Sequence, residues 1–232
     1  HLAKRGQRVL GIEMFQPGHD QGSSHGYHRM IRTSSGQDDG YVPLSERAFE
    51  LWRELEDVSG AELLRMIGEV HLIHFDERPD YLATVERMQR LGFWEPLTEQ
   101  DLAERFPGFR LHANMLATYE QQAGFLWSER GIITNVNQAR QLGAVIRLDE
   151  EVTNWQADGS GVTVETTRGS YSAANAIITA GPWAEELLRD LNFPLQVNRT
   201  MNGYFEPARP DWWTVEQGAP DFLLTVPEGS FY

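Results

Sequence analysis

The 232 residues carry 34 acidic and 20 basic side chains, a formal net charge of −14, with 41% hydrophobic residues and no cysteine. The apolar share is enough for a core, which argues against disorder, and so acidic a surface repels nucleic-acid phosphates. The lack of cysteine removes disulfides, thiolate metal sites, iron–sulfur clusters and a cysteine nucleophile from this stretch.

In chain order, "HLAKRG" reads as a helix end stopped by Gly6, the usual residue just past a helix. The chain opens without Met and shows no signal peptide, so we expect a piece whose natural start lies upstream. "RVLGIE", Arg8 to Glu13, reads as a short buried strand. Helix, glycine, strand and acid in that order form the latter half of a βαβ unit. Gln16 to Tyr41 then reads as a long loop with little secondary structure, a length more often functional or disordered than connecting. "YVPLSERAFELWRELEDVSG" predicts a helix with Leu44, Ala48, Leu51, Trp52 and Leu55 on one face.

"GEVHLIHF" predicts a strand, and "DYLATVERMQRLG" a helix with Leu82, Val85 and Leu91 inward. "LTEQDLAERFPG" predicts a short helix with Thr98 as N-cap, Asp101 completing a capping box and Leu97 stapled to Leu102. "LATYE" and "AVIRL" predict strands, and between them Ser128 to Gly143 a helix capped by Ser128. Asp158-Gly159 and Arg168-Gly169 are hairpin turns in a strand-rich region ending in the apolar strand "IITAG". "PWAEELLRDL" follows as a helix, and Leu195 to Tyr232 as strands and loops. No run approaches the roughly 20 apolar residues of a membrane helix.

Several residues stand out chemically. Glu13 ends a strand, where an acid can accept the ribose hydroxyls of a dinucleotide, or simply face solvent; the companion G-x-G-x-x-G loop is absent. Ala180 and Gly181 would let a cofactor approach the backbone, or form an ordinary strand-to-helix turn. The stretch "SSHGYHRMIR" gathers His25, His28, Arg29 and Arg32, and guanidinium groups bind carboxylates bidentately. His71 and His74 fall on opposite faces of a strand, which argues against zinc. The G-x-S-x-G elbow of a serine hydrolase is missing.

"RVLGIEMFQPGHDQGSSHGYHRMIR" followed by "YVPLSERAFELWRELE" resembles the monomeric sarcosine oxidase and N-methyltryptophan oxidase family of FAD-dependent amine oxidases. The resemblance continues through "ERFPGF", "AGFLWSE", "GVTVETTRGSYSA", "IITAGPWAEELL" and "VPEGSFY", covering nearly the whole chain. It implies an α/β fold: an incomplete Rossmann-like FAD domain (1–67 and 128–192) interleaved with an antiparallel-sheet substrate domain (68–127 and 193–232). Carried over by position, Glu13 matches the ribose-binding acid. Ser24, His25 and Arg29 fall on the flavin side, and His25 and Arg29 take catalytic roles. Val152, Thr179, Ala180, Gly181 and Trp183 match further cofactor contacts. Arg32 matches the arginine that pairs with the substrate carboxylate, and Tyr232 an active-site tyrosine.

The implied activity is oxidation of a secondary or N-methyl amino acid to an imine, with molecular oxygen reduced to peroxide, by a cytoplasmic monomer without metal, nucleic-acid or membrane partner. The family's covalent flavin link uses a cysteine, which would lie outside these residues. Ser24, Tyr27, His28 and Thr200 depart from the family pattern, which leaves the substrate open. The alternatives are a related dehydrogenase with another acceptor, or a piece that binds no FAD alone.

Overall fold

A computed structural model of the chain describes residues 1–34, 39–75 and 79–232. Its strands are β1 (Leu10–Ile12), β2 (Arg29–Arg32), β3 (Leu64–Met66), β4 (Glu69–His74), β5 (Glu95–Leu97), β6 (Met115–Glu120) and β7 (Ala123–Leu126). They continue with β8 (Val145–Arg147), β9 (Val152–Ala157), β10 (Val162–Thr166), β11 (Gly169–Ala173), β12 (Asp221–Val226) and β13 (Gly229–Phe231). The helices are α1 (Val42–Ser59), α2 (Pro79–Arg90), α3 (Glu99–Arg105), α4 (Ser128–Gln141) and α5 (Ala184–Leu187). The fold is therefore mixed α/β, with several sheets.

Two compact units share the chain. The first comprises His1–Tyr27 and Ser128–Gly203, the second His28–Trp127 and Tyr204–Tyr232. In the first unit β1 and β8 run parallel, with Leu10 opposite Val145 and Ile12 opposite Arg147. The β9, β10 and β11 strands form an antiparallel meander; residues 158–161 make the first turn, as Asp158-Gly159 predicts, while the second turn is Thr167-Arg168, one position before the expected pair, because Gly169 already opens β11 opposite Thr166. Asp158 Oδ1 accepts from the Ser160 and Gly161 backbone N–H groups, and Gly159 has φ +84°. That is a turn residue satisfying local donors beside a glycine in the left-handed region.

The second unit holds a five-stranded sheet in the order β13-β12-β4-β6-β5 and a three-stranded sheet β2-β7-β3. The central strand β4 pairs parallel to β12 and antiparallel to β6, and is buried from Glu69 to Ile73. Val70, Leu72, Leu97, Leu102, Phe106, Phe109 and Ala117 form one apolar cluster, and Ile73, Val85, Met88 and Trp94 another. The capping box at α3 is complete: the Thr98 hydroxyl accepts from Asp101 N, and Asp101 accepts from Thr98 N. The α1 helix ends at Gly60, whose φ of +70° lets its N–H reach the Glu56 carbonyl.

Four other expectations need correction. The long loop is not without secondary structure: Arg29–Arg32 pairs as β2 along β7, while residues 35–38 of that loop lie outside the described residues. "RMIR" has no two-residue alternation, so only its pairing partner makes it a strand. "IITAG" forms no strand; none of the described strands pairs with it, and Ile177 is exposed. Leu44 and Leu91 are exposed rather than inward, and Met88 takes the inner position on α2. Ser128 is the first residue of α4, and its hydroxyl donates to the Gly26 carbonyl instead of capping.

Candidate active site

The first unit contains a cavity of about 1050 Å³. Glu13, Ser24, Val152, Thr179, Ala180, Gly181 and Trp183 all line it, so seven of the sequence-predicted cofactor residues meet in one place. It lies past the carboxyl ends of β1 and β8, bounded by Ile12 to Phe15 on one side and Glu150 to Val152 on the other. Open parallel sheets bind ligands there because the chain diverges beyond the last paired residues. Glu13 is placed by the ladder itself: its N–H donates to the Arg147 carbonyl. One of its carboxylate oxygens accepts from the Phe15 N–H at 3.0 Å. Phe15 stacks at a tilt on Trp183 at 5.5 Å and on His19 at 4.8 Å, which gives the cavity an aromatic edge. Trp155 Nε1 donates to the Leu187 carbonyl at 2.7 Å, fastening β9 to the segment that follows Gly181.

These groups suit one end of a dinucleotide. A carboxylate at a strand end accepts from a diol, and Ala180 and Gly181 leave the backbone uncovered. Gly181 has φ +53°, and no heavy atom lies within 4 Å of the point where a Cβ would stand. A phosphate loop of the G-x-G-x-x-G kind is not among these residues.

His25 and Arg29 do not line the cavity. His25 Nδ1 sits 2.9 Å from Glu129 Oε1, and the same oxygen accepts from the Gly26 N–H at 3.2 Å. Gly26 has φ +122°, a conformation that L side chains rarely adopt. The first turn of α4 thus fixes both the bend and the imidazole edge, leaving Nε2 as the other ring nitrogen. From His28 onward the stretch belongs to the second unit. Arg29 Nη1 donates to the His28 carbonyl at 2.7 Å. Desolvation, and then the Arg29 charge, push the His28 imidazole below its ordinary value. Tyr232 follows β13 and is 75% exposed.

Arg32 meets a partner that the sequence reading missed. Its Nη1 donates to Glu69 Oε1 at 2.8 Å, with the Arg32 side chain 29% exposed and Glu69 fully buried. His71 Nε2 lies 3.0 Å from the same oxygen without the alignment of a hydrogen bond. Burial alone would raise Glu69; His71 and Arg32 outweigh it and hold the carboxyl below its ordinary value. Asp221 stands opposite Glu69 across the β4–β12 ladder. Burial, and then the Glu69 charge, push it up to about 6.

Glu69, His71 and Glu120 bring ligand atoms within 4.8 Å of one another. Glu120 is already saturated, however. One oxygen accepts from the Thr33 and Ser34 N–H groups, the other from the Ser34 hydroxyl and Trp94 Nε1. The available signal was an acid and a histidine inside an apolar strand, "GEVHLIH", where a buried charge needs a partner.

The model of the family described as FAD dependent oxidoreductase matches residues 1–232. The chain is 35% identical to a monomeric sarcosine oxidase of Streptomyces avermitilis, over 89% of this chain and 54% of that protein. It is 33% identical to an N-methyl-L-tryptophan oxidase of Salmonella dublin, over 100% of this chain and 61% of that protein. Among solved structures it resembles NikD, described as an unusual amino acid oxidase essential for nikkomycin biosynthesis. The TM-score is 0.73 at 28% identity, covering 82% of this chain and 49% of that one. Glycine oxidase from Geobacillus kaustophilus gives a TM-score of 0.70 at 25% identity, covering 84% of this chain and 54% of that one. The chain thus spans about half to three fifths of the length of these relatives.

Proposed function

The chain belongs to the FAD dependent oxidoreductase family, and we propose that it serves the oxidation of the C–N bond of a secondary or N-methyl amino acid to an imine, with oxygen reduced to hydrogen peroxide. The observation that carries this reading is the cavity beyond β1 and β8, where Glu13, Ser24, Val152 and the Thr179–Gly181 backbone converge. Bound FAD supplies the acceptor for the hydride removed from the carbon beside the amine nitrogen.

The chain's own residues do the holding and orienting. Glu13, already fixed through its N–H and one oxygen, accepts from the ribose hydroxyls. Ala180 and Gly181 admit the cofactor close to the backbone, and Trp183 with Phe15 covers an apolar face. His25, clamped by Glu129, offers its Nε2 edge on the flavin side. Arg29 contributes a permanent positive charge there, which stabilises developing negative charge. Arg32 donates to the acceptor end of the substrate, and Tyr232 closes the substrate side; together they set the C–H in a reactive orientation.

The same reading takes the enzyme as a cytoplasmic monomer without nucleic-acid or membrane partner, with any covalent flavin link made by a cysteine outside these residues. The net charge of −14 supports the first exclusion. Among the described residues no helix is long and apolar enough to cross a membrane.

The test is direct. The full-length protein, purified, should show flavin absorbance and, given a panel of N-methyl and other secondary amino acids, release peroxide with at least one of them. A colourless protein that takes up no FAD sinks the reading.

A further inference from the structure

His19 lines the same cavity as Glu13 and stands beside its carboxylate. The chain returns there through a turn: Gly18 has φ +82°, and the His19 N–H donates to the Gln16 carbonyl at 3.2 Å. The imidazole is held from two sides. Its ring tilts against Phe15, 4.8 Å between centres, and its Nδ1 accepts from the Gln21 N–H at 3.1 Å. A ring nitrogen that accepts carries no proton, so the proton of the neutral imidazole sits on Nε2. Gly22, also in the cavity wall, leaves that edge uncovered: a Cβ there would stand 3.2 Å from His19 Cε1 and 3.9 Å from Nε2.

Nε2 lies 3.8 Å from Glu13 Oε1, the oxygen that already accepts from the Phe15 N–H. At that separation donor and acceptor do not bond each other. The His19 side chain is 23% exposed and that of Glu13 42%, so as an ion pair the two would be worth little. The spacing has a chemical use instead. Hydrogen bonds to oxygen run about 2.8 Å, so one hydroxyl can serve both groups, donating to the carboxylate and accepting from the imidazole. A carboxylate alone asks only for a donor. A carboxylate with an N–H beside it asks for a group that does both, and a hydroxyl does.

We propose that His19 is a further cofactor-binding residue: its Nε2–H and the Glu13 carboxylate together bridge the 2′-hydroxyl of the cofactor's adenosine ribose. This rests on the FAD reading above and adds a donor to its ribose site.

The test reads binding rather than turnover. The full-length protein, freed of flavin, is titrated with FAD and with an FAD analogue whose adenosine is 2′-deoxy, and binding is followed by the change in flavin fluorescence. The wild type should hold the analogue at least about tenfold more weakly than FAD, the size of one hydrogen bond or more. His19→Phe keeps a ring against Phe15 and loses the donor. It should weaken FAD about tenfold and bind the analogue as the wild type does. His19→Gln, which places an N–H donor at a similar reach, should recover most of the affinity for FAD. His19→Leu removes the same donor with a different shape and decides the matter if His19→Phe does not fold. A wild type that binds FAD and the analogue equally overturns the proposal, as does a folded Phe or Leu variant that holds FAD as tightly as the wild type. A variant that weakens both cofactors by the same factor also overturns it, because that marks His19 as a support for the loop only. A protein that takes up no FAD refutes the oxidase reading itself, an outcome visible before any variant is made.

Discussion

Removing the Arg32 guanidinium would leave two partners bereft, and they can be told apart. Arg32→Met should raise KM for the productive amine several-fold. It should also leave Glu69 as a buried charge without its guanidinium partner, costing about 3 kcal/mol of stability. Adding Glu69→Val should restore the melting temperature without restoring KM; if both recover together, Arg32 has no role toward substrate. Asp221 gives a pH signature of its own. Its carboxyl is raised from 3.8 to about 6 in the fold, by burial first and the Glu69 charge second. A group raised in this way favours the fold most below its unfolded value, and that contribution is lost as pH rises through the folded value. Asp221→Asn should therefore raise the melting temperature over wild type near pH 8, by on the order of 2 kcal/mol in stability, and give no gain near pH 4. Thermal melts at the two pH values decide it, and equal gains at both would refute the assignment. At this scale the sequence showed Glu13, because an acid at the end of an apolar strand is visible in one dimension. Glu69 was visible only as an acid inside the strand "GEVHLIH"; its partner Arg32, 37 positions away on a different strand, was not.

Elements were legible where their signals are local. The Thr98 capping box and the Asp158-Gly159 turn depend on residues within a few positions and formed as expected, and the second hairpin turn formed one position early, at Thr167-Arg168. Thr98→Ala should cost about 1 kcal/mol in chemical denaturation, because Asp101 N loses its acceptor and α3 its fixed entry. Elements defined by partners were not legible. "RMIR" became β2 only because β7 lies alongside, and "IITAG", although apolar enough for a strand, found no neighbour among the described residues. The β7 strand shows how tight such pairing is. It runs between β2 and β3, and a Cβ on Gly124 would stand 2.1 Å from the Arg65 carbonyl oxygen. That neighbour is backbone and cannot turn aside, so Gly124→Ala should split the three-stranded sheet and leave little soluble protein, whereas Gly143→Ala, with nothing within 4 Å of its Cβ, should strain only its local turn. Comparable soluble yields of the two would show that the β2-β7-β3 sheet tolerates the displacement.

Across the whole molecule the apolar core is unevenly shared. The buried large hydrophobics, from Leu63 and Val70 through Met88, Trp94 and Phe109 to Leu223, all belong to the second unit. In the first unit the buried hydrophobic residues are Ala3 and Ala144, while Ile177, Phe193, Leu195, Val197 and Met201 are exposed. Local stability follows buried apolar contact, so opening should cost least where such contact is thinnest. Composition could not reveal this, because 41% hydrophobic residues is an average over both units. The poorer unit is the one that carries the cavity. A ligand that binds only the folded form stabilises it by mass action, by about 2.7 kcal/mol at a hundredfold excess over its dissociation constant. Amide hydrogen exchange should then show strong protection in β4 and β6 whether or not FAD is present. The β1–β8 pair and residues 179–191 should exchange fast in the FAD-free protein and slow down severalfold or more on its addition. If FAD left the first unit's exchange unchanged while slowing the second's, the cavity beyond β1 and β8 would not be its seat, and the residues assigned to the cofactor would need another role.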